Sequence, residues 1–260
     1  MLNRPQVTLV KVGGKIVEDK SKLTKLLTDF VKIDGYKVLI HGGGRLATQL
    51  AEKLGVETQM VDGRRITSDE MLDVVTMVYG GLINKNIVAR LQAEGVNSLG
   101  FTGADANCIL SEKRPVKEID YGWAGDVKKV DITAISSLLK KNIVPVMAPL
   151  THDGKGHLLN TNADTIASEL AKALSSDFEV KLVYCFEKEG VLRSIDDESS
   201  VIKILNYTLY KEYIMQGIID GGMIPKLDNA FAAIECGVKE VVITKSTAIG
   251  DLSRGTRITA

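Results

Sequence analysis

Strand-like and helix-like hydrophobic segments alternate along this chain from its first residues, and this alternation constrains the fold most strongly. The β-prone run Val7 to Val12 is followed by a helical apolar stripe from Leu23 to Val31, and then by a strand-like run from Tyr36 to Ile40. Such alternation is typical of an α/β protein whose mostly parallel sheet is covered by helices on both faces. No low-complexity tract, repeat or linker divides the 260 residues, so we expect a single domain.

The alternation continues to the end of the chain. We predict further helices over Arg45 to Leu54, Thr67 to Glu94, Thr133 to Lys141, Ala163 to Leu174 and Pro225 to Cys236. We predict further strands over Val96 to Thr102, Ile143 to Ala148, Val180 to Phe186 and Val238 to Thr244. Thr67 to Glu70 has the spacing of a capping box, and Gly80-Gly81 is a candidate break in the helix that it opens. The polar, weakly periodic stretch from Asp105 to Val130 is predicted to form hairpins over one edge of the sheet.

Composition and charge argue against several classes of function. The 33 basic and 33 acidic residues cancel, so no net field attracts nucleic acid or an anionic membrane surface. The three cysteines (Cys108, Cys185 and Cys236) are widely separated, which indicates free thiols rather than disulfides or a zinc site. No apolar run approaches about 18 residues, and the N-terminus lacks a signal-peptide pattern. We therefore expect a soluble cytoplasmic protein with no metal-ligating residues.

Two glycine-rich turns that follow predicted strands are candidate phosphate sites. In Lys11-Val12-Gly13-Gly14-Lys15, a lysine precedes two residues without Cβ, so an anion can approach the backbone N–H groups closely. A tight turn beside a surface lysine is the more common explanation of this local pattern. The Gly42-Gly43-Gly44 turn is the stronger candidate, because it joins a buried strand directly to a helix N-terminus.

The second turn also matches a dinucleotide-binding fingerprint, Gly42-x-Gly44-x-x-Ala47, with Asp62 about 20 residues further on. That fingerprint is expected in the first strand-turn-helix unit of such a fold, whereas here it lies in the second. Asp62 also belongs to a turn pair with Gly63 rather than to the end of a strand. A Walker A loop is absent from the sequence. A dinucleotide-dependent oxidoreductase is therefore an alternative that fits this chain less well.

Three polar segments lie beside predicted turns or helix starts. Arg64-Arg65 follows a turn, and the guanidinium fork suits a carboxylate, although a solvated basic pair is the simpler explanation. Asn160-Thr161-Asn162-Ala163-Asp164 contains residues that favour helix N-caps. Lys226 follows Pro225 in the first turn of a predicted helix, where a cation opposes the helix dipole. Such an unfavourable position indicates a functional role for Lys226.

Taken in order, these segments resemble the amino acid kinase superfamily, and within it the kinases of N-acylated glutamate. The matching segments are Lys11-Val12-Gly13-Gly14, His41-Gly42-Gly43-Gly44, Gly63-Arg64-Arg65-Ile66-Thr67, Asn160-x-Asn162-Ala163-Asp164, Asp220-Gly221-Gly222-Met223-Ile224-Pro225-Lys226 and Gly255-Thr256. Each segment is short, but six in the family's order over nearly the whole chain are specific. One departure is Phe186-Glu187, where members commonly carry Thr/Ser-Asp. The resemblance implies a three-layer αβα sandwich, with an amino-acid-substrate part over about 1–150 and a nucleotide-binding part over about 151–260.

The resemblance also implies a reaction. The γ-phosphoryl group of ATP, with Mg²⁺ bound through the nucleotide phosphates, would be transferred to the side-chain carboxylate of N-acetyl-L-glutamate or another N-acyl-L-glutamate, in the second step of arginine biosynthesis. A glutamate side chain with a pKa near about 4.3 is ionised at pH 7, so the reaction needs positive groups rather than a general base. Another member of the superfamily, or a ligand sensor on the same fold, is an alternative.

The resemblance assigns roles residue by residue. The catalytic residues would be Lys11, Lys226 and Asp164, with Asp164 holding both lysines in position. The amino-acid substrate would be bound by Gly43, Gly44, Arg65 and Asn160. Phosphate and nucleotide would be bound by Gly13, Gly14, Glu187, Lys188, Glu189, Gly190, Val191, Leu192, Ile219, Asp220, Gly221, Gly222 and Met223.

The N-terminus bears on assembly and regulation. Only Met1 to Gln6 precede the first predicted strand, and they include Pro5. In the family, arginine-inhibited members resemble one another in an additional N-terminal helix that links dimers into hexamers, and so few residues cannot form one. We therefore predict a homodimer that is insensitive to arginine. The helix starting near Thr67 is the best candidate for a symmetric interface, although the sequence is equally compatible with its burial inside the subunit.

Overall fold

Fourteen strands and a series of helices are distributed over the residues that the computed structural model describes, which are 4–61, 63–194 and 196–260. The strands are β1 (Gln6–Val12), β2 (Tyr36–His41), β3 (Met60–Val61), β4 (Arg64–Arg65), β5 (Ser98–Phe101), β6 (Ile109–Lys113), β7 (Gly125–Val130), β8 (Val144–Met147), β9 (Leu150–His152), β10 (Leu158–Asn160), β11 (Glu179–Phe186), β12 (Ile204–Leu205), β13 (Glu240–Lys245) and β14 (Thr256–Ile258). The α-helices are α1 (Gly14–Glu18), α2 (Lys20–Val31), α3 (Gly44–Leu54), α4 (Asp69–Val75), α5 (Asn84–Ala93), α6 (Thr133–Lys140), α7 (Ala163–Leu174), α8 (Tyr207–Met215) and α9 (Ile224–Glu235).

One eight-stranded sheet runs through the molecule in the order β12-β14-β13-β11-β1-β2-β8-β5. Its neighbouring strands are parallel except for the antiparallel pair β13–β14. β1 lies at the centre, where Lys11 is paired with Ile40 of β2 and Tyr184 of β11. The buried residues of the central strands are mostly apolar because helices cover both faces of the sheet. The predicted α/β fold with a mostly parallel central sheet is confirmed.

Alternate residues of the central strands serve two separate hydrophobic cores. Leu9 and Val38 face a core that also contains Ile166 of α7, whereas Val10 and Leu39 face a core formed with α1 to α5. This alternation follows from the two-residue period of a strand, which sends successive side chains to opposite faces. The spacing of the apolar residues therefore predicts helices on both faces of the sheet, which gives the three layers of the sandwich.

A smaller sheet of four strands, in the order β10-β9-β6-β7, lies apart from the central sheet. The antiparallel pair β6–β7 confirms the predicted hairpin within Asp105 to Val130. The hairpin β9–β10 was not predicted, because its strands are only three residues long and carry little periodicity. The small sheet matters for the site, since β10 ends at Asn160.

The predicted capping box at Thr67 is wrong by one residue. The N-cap of α4 is Ser68, whose hydroxyl accepts a hydrogen bond from the Met71 amide at 3.2 Å. Thr67 is instead fully buried, because its backbone N–H and carbonyl are bonded to Tyr121 and Trp123. The helix does not break at the predicted Gly80-Gly81 position, and it continues as a π-helix over Thr76–Ile83 into α5.

Candidate active site

The two glycine turns lie side by side, because β1 and β2 are parallel neighbours whose carboxyl ends share one edge of the sheet. A Cβ atom on Gly14 would lie 3.3 Å from the Gly43 nitrogen and 3.4 Å from the Gly44 nitrogen. A Cβ on Gly42 would lie 3.2 Å from the Gly14 nitrogen. Only glycine therefore leaves these backbone N–H groups open. α1 and α3 begin here, and the free N–H groups at their first turns favour an anion.

Lys11 and Asp164 form a nearly buried ion pair beside these turns. Lys11 Nζ lies 2.6 Å from Asp164 Oδ1, and the two side chains are only 7% and 10% exposed. Asp164 lies in the first turn of α7, where a carboxylate is favoured by the helix dipole. The side chain of Asn162 caps this helix by accepting a hydrogen bond from the Asp164 amide at 2.7 Å, which confirms the predicted N-capping. The carboxylate therefore holds the lysine ammonium at a defined place.

Lys226 approaches the same place from α9. Its Nζ lies 4.9 Å from the centroid of the Phe186 ring, and Lys11 Nζ lies 5.7 Å from it. Burial lowers the pKa of Lys226, while Asp164 raises the pKa and Lys11 lowers it. Two ammonium groups thus converge around one carboxylate. The three residues predicted to be catalytic are therefore brought together. Two ammonium groups and one carboxylate leave one positive charge in excess, which a further anion would balance.

A cavity of about 210 Å³ opens on the Asp164 side, and we call it the glycine-loop cavity. Its lining includes Lys11, Gly14, Gly42, Gly43, Gly44, Arg64, Arg65, Tyr79, Asn160 and Asp164. Arg65 is buried, and its Nη2 donates to the Gly44 carbonyl at 2.7 Å and to the Thr48 hydroxyl at 2.9 Å. Asn160 Nδ2 donates to the Thr67 hydroxyl at 3.0 Å. The residues predicted to bind the amino-acid substrate all line this one cavity, and their side chains are held by other protein groups.

A larger cavity of about 590 Å³ opens on the opposite side of Gly14, and we call it the Phe186 cavity. Most residues predicted to bind nucleotide line it, together with Lys226: Gly13, Gly14, Glu187, Lys188, Gly190, Val191, Leu192, Ile219, Asp220 and Met223. At its rim, Lys15 and Glu187 form an exposed ion pair at 2.5 Å.

Three predicted nucleotide-binding residues lie elsewhere. Gly221 and Gly222 line a third cavity of about 670 Å³, the Arg64 cavity, which also contains Asp164 and Lys226 in its lining. Glu189 forms an ion pair with Arg254 at 2.9 Å and approaches Lys245 at 3.7 Å. These three residues belong to segments whose neighbouring residues do line the Phe186 cavity. They lie outside it because adjacent residues of a turn point in different directions.

Sequence reasoning gave no role to Phe186 or Tyr79. Tyr79 is a member of the apolar pattern of a long helix, so nothing marked it as a residue of the glycine-loop cavity. Phe186 was marked only as a departure from the family's pattern. His41 lies fully buried behind the glycine turns, where its Nδ1 donates to the Gly42 carbonyl at 2.9 Å. Burial lowers the pKa of His41 to about 4, so the ring is neutral and serves the structure of the turn.

Residues 4–61, 63–194 and 196–260 contain no group of three or more His, Cys, Asp or Glu side chains that could hold a metal ion. In the same part of the chain, no helix has the length and apolar character needed to cross a membrane. Asp62, the acidic residue of the dinucleotide fingerprint, lies outside the described residues.

Lys11 and two glycine turns meet at one edge of the mostly parallel sheet, and Lys226 reaches the same point from α9. This arrangement defines an enzyme that handles phosphoryl groups. A model of the amino acid kinase family matches residues 6–245, and the chain belongs to this family. Acetylglutamate kinase of Bacteroides fragilis is 62% identical over 255 residues, covering 98% of this chain and 97% of the relative. Acetylglutamate kinase of Bacteroides thetaiotaomicron is also 62% identical, over 98% of this chain and 99% of the relative. The crystal structure of smu.665 from Streptococcus mutans has a TM-score of 0.80 at 27% identity and covers 98% of both chains. The family and the fold predicted from the sequence are confirmed.

Proposed function

We propose that the chain transfers the γ-phosphoryl group of ATP to the side-chain carboxylate of an N-acylated L-glutamate, in the second step of arginine biosynthesis. N-acetyl-L-glutamate is the first candidate, because the relatives that match nearly the full chain are acetylglutamate kinases. The observation that carries the proposal is the group formed by Lys11, Asp164 and Lys226. This group lies where a small cavity meets a larger one, with Gly14 in the lining of both.

The glycine-loop cavity is assigned to the amino-acid substrate. Its volume of about 210 Å³ suits a small molecule, and Arg65 and Asn160 supply donors for the α-carboxylate side of that molecule. Arg65 is already fixed by the Gly44 carbonyl and Thr48, so little side-chain entropy is lost when a carboxylate binds. The substrate's side-chain carboxylate is ionised at neutral pH, and it would attack without a protein base.

The Phe186 cavity is assigned to ATP, with its phosphates directed towards Gly14. Backbone N–H groups of Gly13, Gly14, Gly43 and Gly44 would hold the phosphate and substrate oxygens at the point where the two cavities meet. Lys11 and Lys226 would stabilise the charge on the transferred phosphoryl group, and Asp164 would keep both lysines in place. These groups are fixed before the reaction, so they stabilise the transition state without reorganising.

Mg²⁺ is assigned to the nucleotide rather than to a protein cage. The described residues offer no cluster of three or more metal-binding side chains, and Mg²⁺ commonly binds through substrate phosphates with few protein ligands. When bound there, the ion would neutralise charge on the β- and γ-phosphates. The protein's own part is to supply the two ammonium groups and the backbone donors.

We assign substrate binding chiefly to about 1–150 and nucleotide binding to about 151–260, within a single domain whose central sheet contains strands of both parts. We propose a homodimer that uses the π-helix and the edge strand β5, because Met77, Leu82 and Leu99 are exposed apolar residues there. The free thiols of Cys108 and Cys185 are buried, and they fit the reducing cytoplasm that we propose as the location.

The test is a phosphoryl-transfer assay with MgATP and a panel of acceptors. N-acetyl-L-glutamate and N-succinyl-L-glutamate are compared with free glutamate, aspartate, carbamate and UMP. ADP formation is measured for every acceptor, and the acyl phosphate of a carboxylate acceptor is trapped as the hydroxamate. We expect turnover with an N-acylglutamate and a thermal shift with MgATP but not with NADPH. Turnover with one of the other acceptors would assign the chain to another activity of the family, and a response to NADPH alone would favour the oxidoreductase alternative.

A further inference from the structure

The phenyl ring of Phe186 lies where the two lysines of the site approach each other. Phe186 ends β11, the neighbour of the strand that carries Lys11. Its centroid is 4.9 Å from Lys226 Nζ and 5.7 Å from Lys11 Nζ. Asp164, the carboxylate that faces both lysines, is paired with Lys11 at 2.6 Å. The ring is therefore a direct contact of the Lys226 ammonium group.

The ring is itself held in a fixed orientation. It stacks on Tyr184, with 6.3 Å between centroids and 8° between the ring planes. Tyr184 is fully buried, and its hydroxyl donates to the backbone carbonyl of Asp164 at 3.2 Å. The phenyl ring is thus tied to the helix start that also supplies the carboxylate of the site.

An aromatic face suits this place better than a second carboxylate would. The two ammonium groups repel each other, and the single charge of Asp164 cannot balance both of them. A second carboxylate would attract Lys226, but it would also repel the phosphates of a nucleotide. The negative face of a phenyl ring attracts an ammonium group without carrying net charge. The ring can therefore hold the lysine and still leave the site positive for an anion.

We propose that Phe186 is a positioning residue that holds the Lys226 ammonium group between the Phe186 cavity and the Arg64 cavity before the nucleotide binds. The expected effect of Phe186 on kcat rests on the proposed phosphoryl transfer. The contact between the ring and the Lys226 ammonium group does not, so a separate measurement tests each of them.

The first measurement uses phenylalanine analogues with one, two and three ring fluorines at position 186. Fluorination weakens the negative face and changes the shape of the ring very little. We expect kcat to fall stepwise, to roughly a fifth of the unmodified value with three fluorines, while KM for the N-acylglutamate is unchanged. Phe186→Leu should lose roughly tenfold in kcat, and Phe186→Tyr should restore most of it. Equal kcat values across the fluorinated series would overturn the proposal.

The second measurement does not depend on activity. Acetic anhydride labelling of Lys226, followed by mass spectrometry across pH, reports how readily its ammonium group loses a proton. The charged groups around it are Asp164 on α7 and Lys11 on β1. The linings of the cavities that it borders add Lys15, Arg64, Glu187, Lys188, Arg193 and Asp220, and none of these groups changes in the series. Because the ring favours the ammonium form, fluorination should lower the pKa of Lys226 and increase labelling at a fixed pH near neutrality.

The outcomes separate the two proposals. Labelling that is the same in all fluorinated variants means that the ring does not hold the lysine, and it overturns the inference whatever the activity. Labelling that rises with fluorination, in a protein that phosphorylates no N-acylglutamate, would support the role of Phe186 and reject the proposed function. Thermal melting of each variant shows that the fold is retained.

Discussion

The two cavities that meet at Gly14 are built in different ways. The glycine-loop cavity is small, at about 210 Å³, and three of its charged side chains are bonded to other protein groups: Arg65 to Gly44 and Thr48, and Lys11 to Asp164. The Phe186 cavity is larger, at about 590 Å³. The ion pair Lys15–Glu187 at its rim is about half exposed.

This difference should make the glycine-loop cavity selective for its ligand and the Phe186 cavity more tolerant of ligand structure. Buried groups with fixed partners cannot adapt, so a molecule that fails to match them leaves polar atoms unpaired at a cost of roughly 1–3 kcal/mol each. A wide cavity with an exposed ion pair is more tolerant, since exposed pairs contribute only about 0–1 kcal/mol. We therefore expect substitutions on the glycine-loop side to change stability and acceptor binding together, whereas those on the other side should leave the fold intact.

The largest effect is expected for Lys226→Ala. Its ammonium group would act mainly on the transition state, so kcat should fall by on the order of 10²–10³ while the melting temperature stays nearly unchanged. Steady-state kinetics and thermal melting measure both quantities, and Lys53→Ala, an exposed lysine of α3, is the matched control. A loss of less than about tenfold in kcat would count against the assigned role.

Lys11→Ala should cost a similar amount of activity and, in addition, stability. Removing the ammonium group leaves Asp164 nearly buried without its partner, and we expect about 3 kcal/mol less free energy of unfolding. Urea denaturation of this variant beside Lys226→Ala measures the contrast directly. Equal stability in the two variants would show that both lysines balance the charge of Asp164 equally. It would contradict the expectation that substitutions on the glycine-loop side cost more stability than those on the Phe186 side.

Gly14→Ala tests the backbone donors that the two cavities share. The added methyl group would lie 3.3 Å from the Gly43 nitrogen and 3.4 Å from the Gly44 nitrogen, where an anion is expected. We expect kcat/KM to fall by roughly 10–100-fold, because the methyl group would block these donors, and the turn at Gly43 must also shift slightly to accommodate it. Gly250→Ala is the control, since a Cβ there meets nothing within 4 Å. Unchanged kinetics would mean that these amides do not contact the phosphates.

Arg65→Ala should have the smallest effect on turnover and the clearest effect on binding. We expect KM for the N-acylglutamate to rise by roughly tenfold, with KM for ATP nearly constant, because a bound carboxylate contacts arginine in both ground and transition states. Arg45→Ala, which removes an exposed arginine of α3, provides the comparison. A rise in KM for ATP instead would show that the two cavities have been assigned the wrong way round.

Local patterns predicted the fold well, because the strands and most helices are long enough to show their periodicity. α7 begins and ends where its apolar pattern indicated, at Ala163 and Leu174. The misplaced cap at Thr67 has a tertiary cause, since the backbone of Thr67 is bonded to residues more than 50 positions away. No local signal contains that information. The short strands β12 and β14 were missed because two- or three-residue strands have no measurable period. The nine-residue helix α8 was also missed.

The site was predictable where its residues belong to turns and strand ends, as with Gly14 and Lys11. Tyr79 reaches the site only through the packing of its helix, which a linear pattern does not contain. Phe186 ends a predicted strand, but it has no polar group that would mark it as a site residue. The functional roles given to the site residues stay predictions. Insensitivity to arginine also stays a prediction, because it rests on Met1 to Gln6, and Met1 to Asn3 lie outside the described residues.

The continuous pairing of β1 with β2 and β11 restricts motion between the two halves of the chain. Lys11 stands inside this three-strand unit, and hydrogen bonds on both sides fix its distance from the glycine turns. A hinge between the first and second halves of the chain would have to break those ladders. Closure around substrates must therefore come from the periphery, where the small sheet and the 3-10 turn Gly221–Met223 border the cavities. We expect hydrogen exchange to be slowest along β1 and fastest in these bordering segments, with substrate slowing exchange only there.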